Sequence, residues 1–128
     1  MNPWHTGGIS AVTLFVEDLG RAREFYAQAF GLPVQFEDAE SVVFRFGHTL
    51  VNLLVASAAG ELVEPASVGR AGNGPRSQFT LTVEDVDAAC AELSSRGVTL
   101  LNGPVDRPWG VRTAAFQDPD GNVWEIAH

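Results

Sequence analysis

Apolar and polar residues alternate along residues 9–16, where Val12, Leu14 and Val16 share one face, and this alternation predicts a strand. At Leu19 the period changes. Leu19, Ala22, Tyr26, Ala29 and Phe30 recur at helical spacing, Asp18 stands at the N-cap, and Gly31 with Pro33 ends the helix. Residues 34–37, 42–46 and 50–56 follow as three short strand candidates.

The second half repeats this grammar. Phe79, Leu81 and Val83 form a strand face, and Asp85 caps a helix whose stripe is Val86, Ala89, Cys90 and Leu93, ended by Gly97. Strand candidates at 98–101, 111–117 and 122–127 come after it. The last two are joined by the hairpin turn "DPDGN", where proline presets one backbone angle and glycine accepts a positive one. The stretch "TLFVEDL" at 13–19 thus returns as "TLTVEDV" at 80–86, a period of about 67 residues that is too long for a solenoid. The expectation is a single α+β domain over 1–128. It is built of two tandem βαβββ modules, 8–56 and 77–128, joined by a Gly-, Ala-, Ser- and Pro-rich linker at 57–76.

Composition narrows the function classes. No apolar run reaches the roughly 18 residues of a membrane span. The opening "MNPWHTGGIS" lacks a basic region followed by an apolar stretch, so no secretory signal is expected. One cysteine, Cys90, cannot close an internal disulfide, in keeping with a cytoplasmic location. The net charge is −8 and all eight basic residues are arginine, which excludes a lysine Schiff base or a phosphate-loop lysine. So acidic a chain is not expected to bind nucleic acid; a neutral or cationic partner suits it better. The chain has neither a GxSxG elbow nor a GxGxxG after a strand.

The element order, with "VEDL" opening a helix, "FYAQAFGLPV" closing it and "PWGVRTAAFQDPDGNVWEI" near the end, resembles the vicinal oxygen chelate superfamily over about residues 9–126. That superfamily includes glyoxalases, extradiol dioxygenases, fosfomycin-resistance enzymes and bleomycin-resistance proteins. The resemblance implies curled mixed sheets around a cleft, paired in a homodimer. The topology agrees, because a four-stranded half-barrel cannot seal its own concave face.

Enzymes of that superfamily hold a divalent metal on the first and last strands of each module. Carried over by position, the ligands fall on Ala11 and Gln78, each seven residues before its capping aspartate, and on Asn52 and Glu125. Alanine has no lone pair to offer, neutral amides are poor ligands for such metals, and one carboxylate does not make a site. No metal and no other cofactor is therefore expected, and the scattered His5, His48 and His128 do not restore one.

Strand alternation carries neighbours of these positions into the cleft: Thr13 and Phe15, Leu50 and Leu54, Thr80 and Thr82, and Val123. The ligand-binding residues expected from the first module are Phe15, Phe44, Phe46, Asn52 and Leu54. Those from the second are Gln78, Thr80, Trp109, Arg112 and Glu125. Phe15, Phe44 and Phe46 have core or dimer contact as their other reading, and Trp109 a structural wedge. Arg112 has an ion pair with Glu125 or another acid. Trp4 is a tail residue or an arm over a partner chain, and Tyr26 and Cys90 belong to the core.

The function expected is a metal-free binding protein, similar to the bleomycin-resistance branch, which sequesters a bulky, partly aromatic small molecule as antibiotic-resistance proteins do. The emptied ligand positions speak against an enzyme. The alternative is a glyoxalase- or dioxygenase-like lyase or isomerase, either with a displaced metal set or metal-free with Glu125 as general base.

Overall fold

A computed structural model describes residues 3, 7–70, 72 and 74–128; Trp4 and His5 lie outside the described residues. The first half runs β1 (Ala11–Val16), α1 (Leu19–Phe30), β2 (Val34–Glu37), β3 (Ser41–Phe46) and β4 (Thr49–Val55). After a short helix α2 (Gly60–Val63) the second half runs β5 (Gln78–Thr82), α3 (Val86–Ser95), β6 (Leu100–Asp106), β7 (Arg112–Gln117) and β8 (Val123–Ala127). Both long helices begin as their sequences require: the Asp18 carboxylate accepts from the Arg21 N–H and that of Asp85 from the Ala88 N–H, each at 3.0 Å. Gly31 closes α1 in the left-handed conformation, φ 65°, where its N–H reaches the Ala27 carbonyl.

The repeat in sequence is a repeat in topology. One sheet has the order β1-β4-β3-β2 and the other β5-β8-β7-β6. In each, the strand before the helix lies parallel to the last strand and the remaining pairs are antiparallel. The chain is thus α+β with two tandem βαβββ modules forming mixed sheets, as the periodicity predicts. None of the helices is long and apolar enough to cross a membrane, among the described residues.

Two details differ from the sequence reading. The linker is not featureless: a 3-10 turn (Ala56–Ala58) and α2 flank Ala59, whose side chain is fully buried. Strand β6 also continues past the expected end at residue 101, through Gly103 and Pro104, to Asp106. An edge strand tolerates proline because no neighbour needs its missing N–H, and β6 pairs only with β7. The ladder absorbs the pair through register shifts on both sides of Asn102. Gly103, at φ 84°, lies so close to β7 that a Cβ would stand 2.5 Å from the Thr113 carbonyl oxygen, so glycine is required there.

Both sheets turn their helix-bearing faces into one core. Val16, Phe44 and Leu53 from the first sheet and Ala114, Phe116 and Trp124 from the second are buried in the same cluster with Tyr26. Rings bridge the halves: Phe46 stacks on Trp124 at 5.2 Å, and Phe30 of α1 meets Phe116 at 5.6 Å and Trp124 at 5.1 Å. A polar strut crosses the same boundary. The Tyr26 hydroxyl donates to Asp118 Oδ2 at 2.5 Å and accepts from Trp124 Nε1 at 3.0 Å. The Asp118 carboxylate, 5% exposed, also accepts from the backbone N–H of Asp120 and Asn122 and from the Asn122 side chain. Burial, and then the Asp118 charge, pushes the Tyr26 hydroxyl far above its ordinary pKa, which keeps it a donor.

Candidate functional site

With the helical faces buried together, the opposite face of each sheet is left open. On the first sheet the open face alternates through Thr13 and Phe15 of β1. Its partners in register are Asn52, which faces Thr13, and Leu54, which faces Phe15. On the second sheet Gln78 faces Val123, Thr80 faces Glu125 and Ala115 also faces Glu125. The register makes Asn52 and Glu125 equivalent, since each pairs with the threonine two residues after the start of its module's first strand, Thr13 after Ala11 and Thr80 after Gln78. Side chains repeat the correspondence. Thr80 Oγ1 donates to Glu125 Oε1 at 3.0 Å, and Asn52 Nδ2 approaches Thr13 Oγ1 at 3.5 Å. Asn52 Oδ1 is buried without a hydrogen-bond partner among the described residues.

The expected residues therefore divide. Phe15, Asn52 and Leu54 share the open face of the first sheet, and Gln78, Thr80 and Glu125 that of the second. Trp109 stands 72% exposed on the link between β6 and β7. Phe44 and Phe46 do not line this surface. Phe44 is 1% exposed, packed against Tyr26, and Phe46 lies between Phe30 and Trp124. The cause is register: Phe46 opposes Thr49 across a two-residue turn, so Val43, not Phe44, lies opposite Asn52. The length of the turn Gly47–His48 is the signal that could have assigned the face.

Arg112 does not line it either. It shares the helical face with Ala114 and Phe116 and is committed to acids there. Its Nε and Nη2 grip Asp87 at 2.9 Å each, and Nη1 reaches Asp106 at 3.0 Å. These bonds hold the Asp87 carboxyl below the usual carboxylate range. An acid other than Glu125 is its partner. Arg107, which sequence reasoning passed over, lies on the open face instead, donating Nε to Thr113 Oγ1 at 2.9 Å. No periodicity marks a hairpin residue that folds back over its own strand.

The donor set can be weighed against the metal that the resemblance implies. Ala11 and Gln78 occupy the first-strand positions, and Asn52 and Glu125 the last-strand ones. Among the described residues no three His, Cys, Asp or Glu side chains come together in a way that could hold a metal ion. His48 is exposed at its turn, and His128 contacts the Val83 carbonyl through Nδ1 at 2.9 Å. The residues present do not fit a divalent metal.

A cavity of about 390 Å³ runs along the free edge of β1, bordered by Thr13, Phe15, Phe79, Asn122, Arg76 and Asp120. Asp120 accepts the Glu17 N–H at 2.9 Å. Burial raises its carboxyl pKa, helped by the charges of Asp118 and Glu17 and opposed by the Glu17 N–H and Arg21. A carboxyl whose folded pKa is raised stabilises the fold while protonated, and that contribution fades as pH rises through the folded value. Asp120→Asn keeps an acceptor for Glu17 without the charge. Its melting temperature relative to the parent is expected to rise as pH climbs from about 4, the ordinary carboxylate value, through the raised folded value. A difference that stays flat or falls over that range would show the opposite sign.

Comparison with known proteins places this geometry in a family. The model of the Glyoxalase/Bleomycin resistance protein/Dioxygenase superfamily matches residues 8–126. The "Uncharacterized protein YraH" of Bacillus subtilis (strain 168) is 36% identical over 120 residues, covering 90% of this chain and 93% of its own. The crystal structure of a glyoxalase/bleomycin resistance protein/dioxygenase from Nocardioides superposes with a TM-score of 0.85 at 22% identity, covering 95% of this chain and 83% of that one. Lactoylglutathione lyase from Agrobacterium tumefaciens gives 0.75 at 21% identity, with coverage of 95% and 93%. At such identities the structures speak for the fold alone, while the family model spans almost the whole chain, and the protein belongs to the glyoxalase/bleomycin resistance protein/dioxygenase superfamily.

Proposed function

We propose that the protein binds a bulky, partly aromatic small molecule without a metal, in a cleft completed by a second copy of the chain. The donor set carries this reading: Ala11, Gln78 and Asn52 stand with a single carboxylate, Glu125, where a chelating enzyme needs several anionic or imidazole ligands. Sequestration asks only for apolar area and a few hydrogen bonds. The half-buried Phe15, Leu50 and Leu54 offer the first, and Thr80, Gln78 and the partnerless Asn52 Oδ1 the second. Open faces on both sheets favour pairing with a second copy. A dimer, at twice the chain mass of 13.7 kDa, is expected in light scattering.

The test is titration of candidate antibiotics, followed by quenching of tryptophan fluorescence. A saturable signal is expected, with the compound recovered chemically unchanged; altered compound would overturn pure binding. One observation favours a second reading as a metal-free lyase or isomerase: Glu125, on the open face, is oriented by the Thr80 hydroxyl as a general base would be. On that reading Glu125→Gln loses turnover and keeps binding.

A further inference from the structure

Three of the arginines, Arg23, Arg96 and Arg112, are held in ion pairs with carboxylates. Arg107 is different. It is half-buried and makes no ion pair among the described residues; its neighbour Asp106 is taken by Arg112, and Glu125 accepts from Thr80. A guanidinium withdrawn from water without a counter-charge loses hydration that one hydroxyl does not replace.

Its position is set by the hairpin. Val105 pairs with Thr113, and the chain then turns tightly, Arg107 N–H to Val111 carbonyl at 2.7 Å and Gly110 N–H to Arg107 carbonyl at 3.0 Å. The turn folds the Arg107 side chain back over the open face, where Nε is pinned to Thr113, itself only 2% exposed. Pinning through Nε fixes the plane of the group and leaves the Nη1 and Nη2 edge as an unused two-pronged donor. Trp109 stands two residues along the same turn, and Glu125 lies one diagonal step away, because Thr113 and Ala115 are successive residues of this face and Ala115 pairs with Glu125.

We propose that Arg107 anchors the carboxylate of an aromatic acid whose ring packs on Trp109. The inference rests on the small-molecule-binding reading above and names the ligand's chemical class. A planar carboxylate matches the two parallel N–H bonds that the free edge offers. In a chain of net charge −8 such an anion has little reason to approach except at a local cation.

Equilibrium dialysis with 2-naphthoate and its uncharged counterpart 2-naphthamide separates the possibilities. The parent protein is expected to bind the acid about tenfold more tightly than the amide at low ionic strength. Arg107→Gln should bring that ratio near one while leaving the amide affinity in place. Trp109→Ala should weaken both compounds by a similar factor and preserve the ratio. Should Arg107→Gln fail to fold, Arg107→Lys keeps the charge and removes the fork, and the ratio is expected to fall several-fold without vanishing. Equal binding of acid and amide by the parent, or an unchanged ratio in either Arg107 variant, overturns the role of Arg107 and leaves the small-molecule reading standing. Binding of neither compound likewise overturns the role of Arg107, and the antibiotic titration described above decides the small-molecule reading separately.

Discussion

Asp118→Ala is expected to destabilise the fold by about 3–5 kcal/mol, measured by urea denaturation at fixed protein concentration. The carboxylate is buried and serves four donors: the Tyr26 hydroxyl, two backbone N–H groups and the Asn122 amide. Removing it leaves all four facing protein in place of water, and each unpaired buried donor carries its own desolvation penalty. The backbone donors belong to the turn between β7 and β8, so the hairpin loses its inner scaffold too. Tyr26→Phe removes two links, the bond to Asp118 and the one from Trp124 Nε1, and a loss of about 1–3 kcal/mol is expected for it. In the double variant the two losses should fall short of additive, because both changes cut one hydrogen bond. A loss under about 1 kcal/mol for Asp118→Ala would mean that water enters and rescues the donors.

Trp124→Ala is the second large effect, with an expected loss of about 3–5 kcal/mol in the same measurement. The indole is 3% exposed and meets Tyr26, Phe30, Phe46 and Phe79, with centroids 5.1–6.0 Å away. Rings supplied by α1, β3 and β5 cannot all collapse into the space it leaves, so the loss includes a cavity as well as the transfer of apolar area. Trp124→Phe fills most of that volume and drops only the hydrogen bond to Tyr26. It should recover more than half of the stability, and an equal loss in both variants would argue that packing matters little there.

Much of the architecture is legible in the chain itself. Capping aspartates, the switch from a period of two to one of 3.6, and the glycine stops place both long helices, and the twofold recurrence of that pattern gives the topology. What resists reading is which face a strand turns where, because alternation assigns two faces and does not say which one is covered. For β4 and β8 the resemblance to the superfamily assigned Asn52 and Glu125 to the cleft, and the register sets both on the open faces. For β3 two phenylalanines suggested a pocket wall, and only pairing across the turn at Gly47–His48 shows them in the core. Arg112 misleads for the same reason, lying in phase with Ala114 and Phe116. Arg107 is hidden for another: its placement depends on how a loop folds back, and no period governs that.

The stacking of Phe46 on Trp124 has a consequence for the history of the repeat. Duplicated units commonly keep enough independence that one can drift while the other holds the structure. Here each half contributes side chains to the other's interior, so the core of either half is completed by the other. A substitution in the shared interior therefore disturbs both halves at once, whereas the outward faces can change one at a time. Those are the surfaces where Asn52 and Glu125, equivalent by register, have come to differ.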